Sequence, residues 1–486
     1  MIRFLTPVIN EVYSDKTFVL IGRSSIDNIP EYEPIRVDSL GEALINYDGE
    51  LLEAYMSAYH NGNTEVYLSR IDPTKVTDNV SHEEEFRSAF ELIADRSINA
   101  IGILGVDYNT NNGQFATMLS DLCEAKSERG MPTIGIISAG TAPIATATET
   151  LTLYKHGELK LNHPPIKGTV TITDETGSLP YYPDNDVDIE YNSGFIRRSY
   201  STSLDTIETV KITYSYINVE QHIDNLLNNK VKSPFLSIPC YEGELNSNYA
   251  LNPVASYMAT LSATPMSEGV VNNRIKLSSI KYDLRDDRTM TENFTLSGDG
   301  EITLKRIPKE VIEFTGIGVT YSVEDGVMLY SVASGEVDVS ITYKYSEYET
   351  LKQRGFVVLK ERTRHDGYGI YSAVTRVDDK SSYQLISNRR VANEALRRIH
   401  SNSAELASTV LNGKVKLEKA ITESLDSLIS DRLVTDYTYQ YEVYYQKQIE
   451  FDGEMIDVNG YVLDLSLTIV PTPTLQEINC NVRMIT

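Results

Sequence analysis

The chain has 486 residues, 41% of them hydrophobic, which is enough for about three domains at the usual ~150 residues each and excludes a disordered chain. A formal charge of −25, from 44 basic against 69 acidic residues, excludes nucleic acid as the main partner, because phosphate binding needs a basic footprint. Cys123, Cys240 and Cys480 are too few and too scattered for a disulfide framework or a zinc motif, and no apolar run approaches the ~18 residues of a membrane helix.

Taken in order, residues 1–17 hold Pro7 and no helical period, so they read as an extended arm without the apolar core of a secretion signal. Phe18 to Gly22 is a short apolar run suited to a buried strand. Leu40 to His60 carries Leu44, Leu51, Leu52, Tyr55, Met56 and Tyr59 at helical spacing. Val66 to Arg70 reads as a strand, Glu83 to Asp95 as a helix, and Ala100 to Leu104 as a strand. Gln114 to Arg129 then reads as a helix and Pro132 to Ile137 as a strand. Strand and helix alternate, which predicts an α/β first third.

From Tyr154 the texture changes to turns, tyrosines and alternating residues, and a repeat emerges. Gly157-Glu-Leu-Lys-Leu161 and Ile212-Thr-Tyr-Ser-Tyr216 bracket one copy. Gly300-Glu-Ile-Thr-Leu304 and Ile341-Thr-Tyr-Lys-Tyr345 bracket the other. Each copy also holds an acidic strand and turn, Val187 to Gly194 and Val319 to Gly326. The expectation is two small β modules inserted into α/β segments. Between them, Ser233 to Cys240 reads as a strand and Asn252 to Leu261 as a helix.

Beyond the second copy, Gly355 to Leu359 and Gly369 to Val374 read as strands. Leu385 to Leu411 reads as an amphipathic helix, with Val391, Ala395, Ile399, Leu406 and Val410 on one side and Gly413 as its C-cap. Leu417 to Leu433 reads as a second helix. The chain then alternates through the tyrosine run from Tyr437 and through Leu463 to Ile469, breaks at Pro471 and Pro473, and resumes in a final strand with Ile478, Cys480, Val482 and Met484 on one face. A strand placed after such a break is free to pair elsewhere.

No motif proposes an active site, a cofactor or a metal. His60, His82, His156, His163, His222, His365 and His400 are scattered, and there is no phosphate loop or nucleophile elbow. Asp184 to Asp188 starts like a calcium loop, but Ile189 stands where such loops need glycine, so it reads as a solvated acidic turn. Residues 352–419 carry 14 Lys and Arg against 7 Asp and Glu, a basic island in an acidic chain. Within it Arg389, Arg390, Arg397 and Arg398 lie on the polar sides of one predicted helix, either bridged to acidic residues of the same chain or presented to an acidic partner.

Several of these features, in this order, resemble the tail sheath proteins of contractile phages and related injection machines. They are the opening strand ending in Gly22, the turn at Asn61-Gly62 leading into a strand that ends at Arg70, the strands from Gly355 and Gly369 ending at Thr375-Arg376, and Arg389-Arg390 opening a long helix. The resemblance implies a mixed α/β core built from discontinuous segments (18–156, 218–288 and 347–470). It also implies two inserted β modules (157–217 and 289–346) and linking arms (1–17 and 471–486). In such a protein Ile2, Phe4, Val8 and Val12 at one end, and Ile478, Cys480, Val482 and Met484 at the other, add strands to neighbouring copies. Arg389, Arg390, Arg397 and Arg398 face the tail tube. The implied partners are further copies of the chain in a helical homo-polymer, the tube protein, and baseplate and terminator proteins. The implied location is a virion or phage-tail-like particle assembled in the host cytoplasm. No enzymatic activity, nucleic acid contact or membrane insertion is implied. An α/β enzyme with accessory β modules and a tyrosine-rich adhesin are the rival readings.

Overall fold

The computed structural model describes residues 17–62, 66–153, 158–174, 180–181, 187–191, 193–198, 208–246, 249–266, 268–281, 284–363, 367–377, 381, 384–404, 413–451, 454–472 and 478–485. The expected N-terminal arm residues Ile2, Phe4, Val8 and Val12 lie outside them. The fold is mixed α/β, with several small sheets. Thr141–Asn228 forms one compact unit and the remainder another.

The larger unit opens with β1 (Phe18–Arg23), β2 (Pro34–Val37), α1 (Leu40–Asn46), α2 (Gly49–His60) and β3 (Val66–Ile71). There follow α3 (Asn79–Ile93), β4 (Ala100–Asp107), α4 (Gln114–Glu128) and β5 (Ile134–Ser138). β1 lies between β3 and β4, parallel to both, with Phe18 opposite Val66 and Ala100. Covered on both faces, it needs an unbroken apolar run, and Phe18 to Ile21 are at most 2% exposed. The order is β5-β4-β1-β3-β2, with β2 antiparallel at the edge, where Pro34 leaves no ladder bond missing.

The helix expected over 40–60 is two. Asp48 takes hydrogen bonds from the Ser24 hydroxyl (2.7 Å) and the Ser25 amide (2.7 Å), pinning the chain to the loop after β1, and Gly49 restarts the helix at φ +52°. α3 begins earlier than Glu83, because Asp78 and Ser81 form a reciprocal capping box. Its far end is closed by a lysine of another helix: the buried Lys126 donates to the carbonyls of Ile93 (2.9 Å), Ala94 (3.1 Å) and Arg96 (2.6 Å). Burial pushes that amine down to about 8.

In the smaller unit, β6 (Ile144–Leu153), β7 (Glu158–Lys160), β8 (Thr171–Asp174), β9 (Pro180–Tyr181), β10 (Val187–Glu190), β11 (Phe195–Arg198) and β12 (Glu208–Ile217) form two sheets, β6-β12-β8-β9 and β10-β11-β7, before α5 (Val219–Asn228). Leu153, Leu159, Leu161, Ile172, Ile196, Val210, Ile212 and Tyr214 share its core. Pairing begins before Gly157, since β6 runs the whole length of β12, from Ile144 opposite Ile217 to Leu153 opposite Glu208.

The larger unit resumes with β13 (Leu236–Ser237), β14 (Gly243–Asn246), β15 (Tyr249–Ala250) and α6 (Pro253–Ala263), then β16 (Arg274–Ile275) and β17 (Ser279–Ile280). β13 joins β5 in parallel but is far shorter than the expected 233–240 strand, because Pro234 and Pro239 bound it. α6 is buried all round, capped by Asn252 with Pro253 in its first turn. It lies so close to β4 that a Cβ on Gly102 would sit 2.5 Å from the Met258 sulfur.

The second repeat copy comprises β18 (Arg288–Thr303), β19 (Pro308–Thr315), β20 (Val319–Glu324) and β21 (Val327–Tyr345). β18 and β21 pair along both their halves, and β19 and β20 flank β21 on either half. The two copies share their construction. Glu149 stands opposite Ile212 as Glu292 stands opposite Ile341. Leu161 donates to the Gly194 carbonyl (2.9 Å) as Leu304 donates to that of Gly326 (2.8 Å).

After α7 (Glu347–Gln353) come the hairpin β22 (Val358–Thr363) and β23 (Gly367–Ser372), then α8 (Ile386–Ala404), α9 (Gly413–Ser430), β24 (Val434–Phe451), β25 (Glu454–Pro471) and β26 (Ile478–Ile485). Gly413, expected to close the first of these helices, lies in the second. Val391, Ala395 and Ile399 form the buried stripe, packed against Ile421, Leu425 and Leu428 of α9 and Leu465, Leu467 and Ile469 of β25. Leu406 and Val410 lie outside the described residues. The tyrosine run lies along α9: Tyr437, Tyr439 and Tyr441 stack at 6.3 Å intervals. Tyr437 donates to Asp426 (2.7 Å), and Tyr439 shares a hydrogen bond with Thr422 (2.9 Å).

Candidate assembly surfaces

The arginines of α8 do not form the free basic face that their helical positions suggest. Arg389, Arg390 and Arg397 are each no more than 8% exposed. Arg390 donates to the Thr264 carbonyl (2.7 Å), just past the end of α6. Arg397 donates to the Pro132 carbonyl (3.1 Å) and pairs with Glu394 (2.8 Å). The Arg389 guanidinium lies 4.2 Å from the centre of the Phe235 ring. Arg398 is more open, yet it bridges Glu394 (2.8 Å) and Asp431 (2.7 Å). Long stems carry these charges inward to carbonyls, an aromatic ring and carboxylates of the same chain. The fit is close: a Cβ on Gly130 would fall 2.1 Å from the His400 ring, and φ there is +74°.

The residues carrying the family resemblance are joints of the same kind. Asn61 accepts from the Lys276 amide (2.8 Å) and donates to the Ser57 carbonyl (2.9 Å). Arg70 donates to the Ser24 carbonyl (3.0 Å). Arg376, 4% exposed, donates to the Tyr108 hydroxyl (3.0 Å) and the Arg354 carbonyl (2.7 Å), and lies 4.8 Å from the Phe356 ring centre. These contacts knit stretches far apart in sequence.

At the chain's end, β25 is the middle strand of β24-β25-β26. β26 pairs antiparallel with it, Ile478 opposite Ile469, Cys480 opposite Leu467, Val482 opposite Leu465 and Met484 opposite Leu463. β24 is an 18-residue edge strand without proline, and its outer edge has no pairing strand among the described residues. Long unprotected edges are templates for another strand.

A parallel sheet of this order would hold a ligand beyond the carboxyl ends of β1 and β4, where the strand order reverses. That crevice is filled by the chain itself. Glu50 accepts from the Arg23 side chain (2.8 Å) and amide (3.1 Å), and its carboxylate lies where a Cβ on Gly105 would go (2.5 Å). Asp107 holds the amides of Asn109 and Thr110 (both 2.9 Å). His82 packs on Phe86 and Phe115, and burial lowers its pKa. Among the described residues no cluster of His, Cys, Asp and Glu could hold a metal, and no helix is long and apolar enough to cross a membrane.

Sequence reasoning missed the carboxylates at the foot of the second β unit. Glu347, fully buried, holds the Arg285 amide (2.7 Å) and Arg288 (3.2 Å). Asp286 takes bonds from Lys360 and Ser346 (both 2.7 Å). Burial alone would raise Asp286, but those bonds and the charges of Lys360 and Lys309 hold it at about 2. No motif marks either residue.

No family model and no curated protein matches the chain. Its fold is similar to that of several solved structures. One is a chain of the anti-feeding prophage baseplate (11% identity, 96% of this chain and 92% of that one, TM-score 0.47). Another belongs to the sheath complex of the PVC extracellular contractile injection system in its contracted state (12%, 94% and 91%, 0.44). A third is the sheath tail protein of Desulfitobacterium hafniense (7%, 97% and 97%, 0.46). At these identities and scores the likeness assigns no residue and no role.

Proposed function

We propose that the chain is a structural sheath subunit that polymerises around a tail tube in a metastable extended state and contracts to drive the tube through a target envelope. Its core comes from three separated segments of the chain, with the two β units as insertions and the chain ends as linking arms. The observation that carries this reading is the open edge of β24. A strand from a neighbour, supplied through Ile2, Phe4, Val8 and Val12, meets that edge, while the β26 face of Ile478, Cys480, Val482 and Met484 is exchanged between copies across the Pro471 break. Backbone hydrogen bonds then supply strength and alternate side chains supply register. Arg389, Arg390 and Arg397 seat α8, the helix that faces the tube, with the more open Arg398 beside them. The work is mechanical, and its energy is stored in the polymerised state. The remaining partners are the tube, baseplate and terminator proteins of a virion or tail-like particle.

Electron microscopy of the purified chain tests the reading, with tubular polymers as the expected outcome. Deleting Leu475–Thr486 should give a soluble monomer with a cooperative thermal transition and no tubes. A truncated protein that still forms tubes removes the linking role of β26.

A further inference from the structure

One small sheet carries a cluster of exposed cationic side chains. In β16-β23-β22, Arg274 stands opposite Gly369, which stands opposite Lys360. Lys360 is held by Asp286, but Arg274, Lys276 and Arg362 are exposed and have no carboxylate partner among the described residues. Glycines floor the strip. A Cβ on Gly369 would meet the Arg362 stem at 2.8 Å, and one on Gly367 would come within 3.6 Å of the Arg274 guanidinium. Two guanidinium groups thus lie along one flat face, suited to paired carboxylates.

The chain carries the complement. Between Lys309 and Lys344 there is no lysine or arginine, but there are Glu310, Glu313, Glu324, Asp325, Glu336 and Asp338. β18 and β21 bend at Gly298 and Gly335, both at positive φ, so that Ser297 stands opposite Glu336 beside Asp299. The turn between β19 and β20 lies at the same bend, where Ala333 donates to the Gly318 carbonyl (3.2 Å). It carries Ile317, 94% exposed. The bend thus carries Asp299 and Glu336 on the paired strands and Ile317 in the adjoining turn, an acidic tip with one exposed apolar residue.

We propose that the Arg274–Arg362 strip docks this acidic tip of a second copy of the chain. The contact deepens the self-assembly reading and names two surfaces other than the terminal strands. A chain of net charge −25 repels its copies at long range, so a local pairing of opposite sign sets the orientation in which they approach.

The test is sedimentation velocity of the full chain over a concentration series, at about 50 and about 500 mM salt. R274E/R362E and D299K/E336K should each weaken association by at least about tenfold, the scale of like charges brought together. R274Q/R362Q should fall between, and an equimolar mixture of the two reversed proteins should recover association. Thermal transitions matching the parent's show that the variants fold. Parent-like association of either reversed protein, or a mixture that fails to recover, overturns the docking and leaves the assembly reading standing. A parent chain that stays monomeric at every concentration overturns both. Loss of heparin retention in R274E/R362E with association unchanged assigns the strip to a polyanion instead.

Discussion

The two β units are the same construction carried out in two ways. In the second, β18 and β21 run the length of one sheet, past Gly298 and Gly335. In the first, the equivalent positions fall in β6 and β7 and in β11 and β12, which belong to two sheets. What survives the difference lies inside. Leu153, Leu161, Ile196, Val210, Ile212 and Tyr214 occupy the places of Leu296, Leu304, Met328, Val339, Ile341 and Tyr343. A polar clamp is also shared. Tyr214 donates to Glu149, which also takes the Asn162 amide (3.1 Å), while the His163 amide donates to the Tyr214 hydroxyl (3.3 Å). Tyr343 donates to Glu292, which takes the Lys305 amide (3.0 Å), while the Arg306 amide donates to the Tyr343 hydroxyl (3.2 Å). Inward residues and one polar clamp are therefore what the two units share, one built as a single sheet and the other as two.

The comparison can be broken hardest at the core. Ile212→Ala and Ile341→Ala should each cost about 2–5 kcal/mol, and hydrogen exchange should show faster opening confined to the unit that carries the change. Spread of that effect over both units would show that they do not open separately. Removing the clamp hydroxyl comes next: Tyr343→Phe should cost about 1–3 kcal/mol in thermal unfolding, and Tyr214→Phe less, since Glu292 is buried (7% exposed) and Glu149 only half-buried. Equal losses would mean that burial does not set the clamp's strength. The smallest effect should come at the bend: Gly335→Ala, at φ +74° with open space around it, should cost about 1 kcal/mol by strain alone. A neutral result would remove the bend as a reason for glycine.

Much of this was legible in the sequence where local pattern decides. The apolar runs at 18–22 and 100–104 are buried parallel strands, Asn252-Pro253 does open a helix, and the repeat brackets mark equivalent strands. Two of the misreadings share a cause: partners distant in the chain. Nothing near Asp48 announces that Ser24 and Ser25 will hold it and divide a helix. The α8 arginines look like a polar face because the carbonyls that receive Arg390 and Arg397 lie 126 and 265 residues away. The clamps were hidden in a repeat whose tyrosines are visible but whose glutamates precede the brackets that defined it.

The tyrosine ladder of β24 also decides how that strand bears load. Tyr437, Tyr439 and Tyr441 meet Asp426, Thr422 and Glu418, two residues of strand for every four of helix. Those steps are about 6.7 Å and 6 Å, close enough for three successive hydroxyls to stay in step. A pull along β24 therefore strains all three contacts together, in shear. Slippage by one residue would turn the rings to the opposite face, so the strand and α9 move as one piece or not at all.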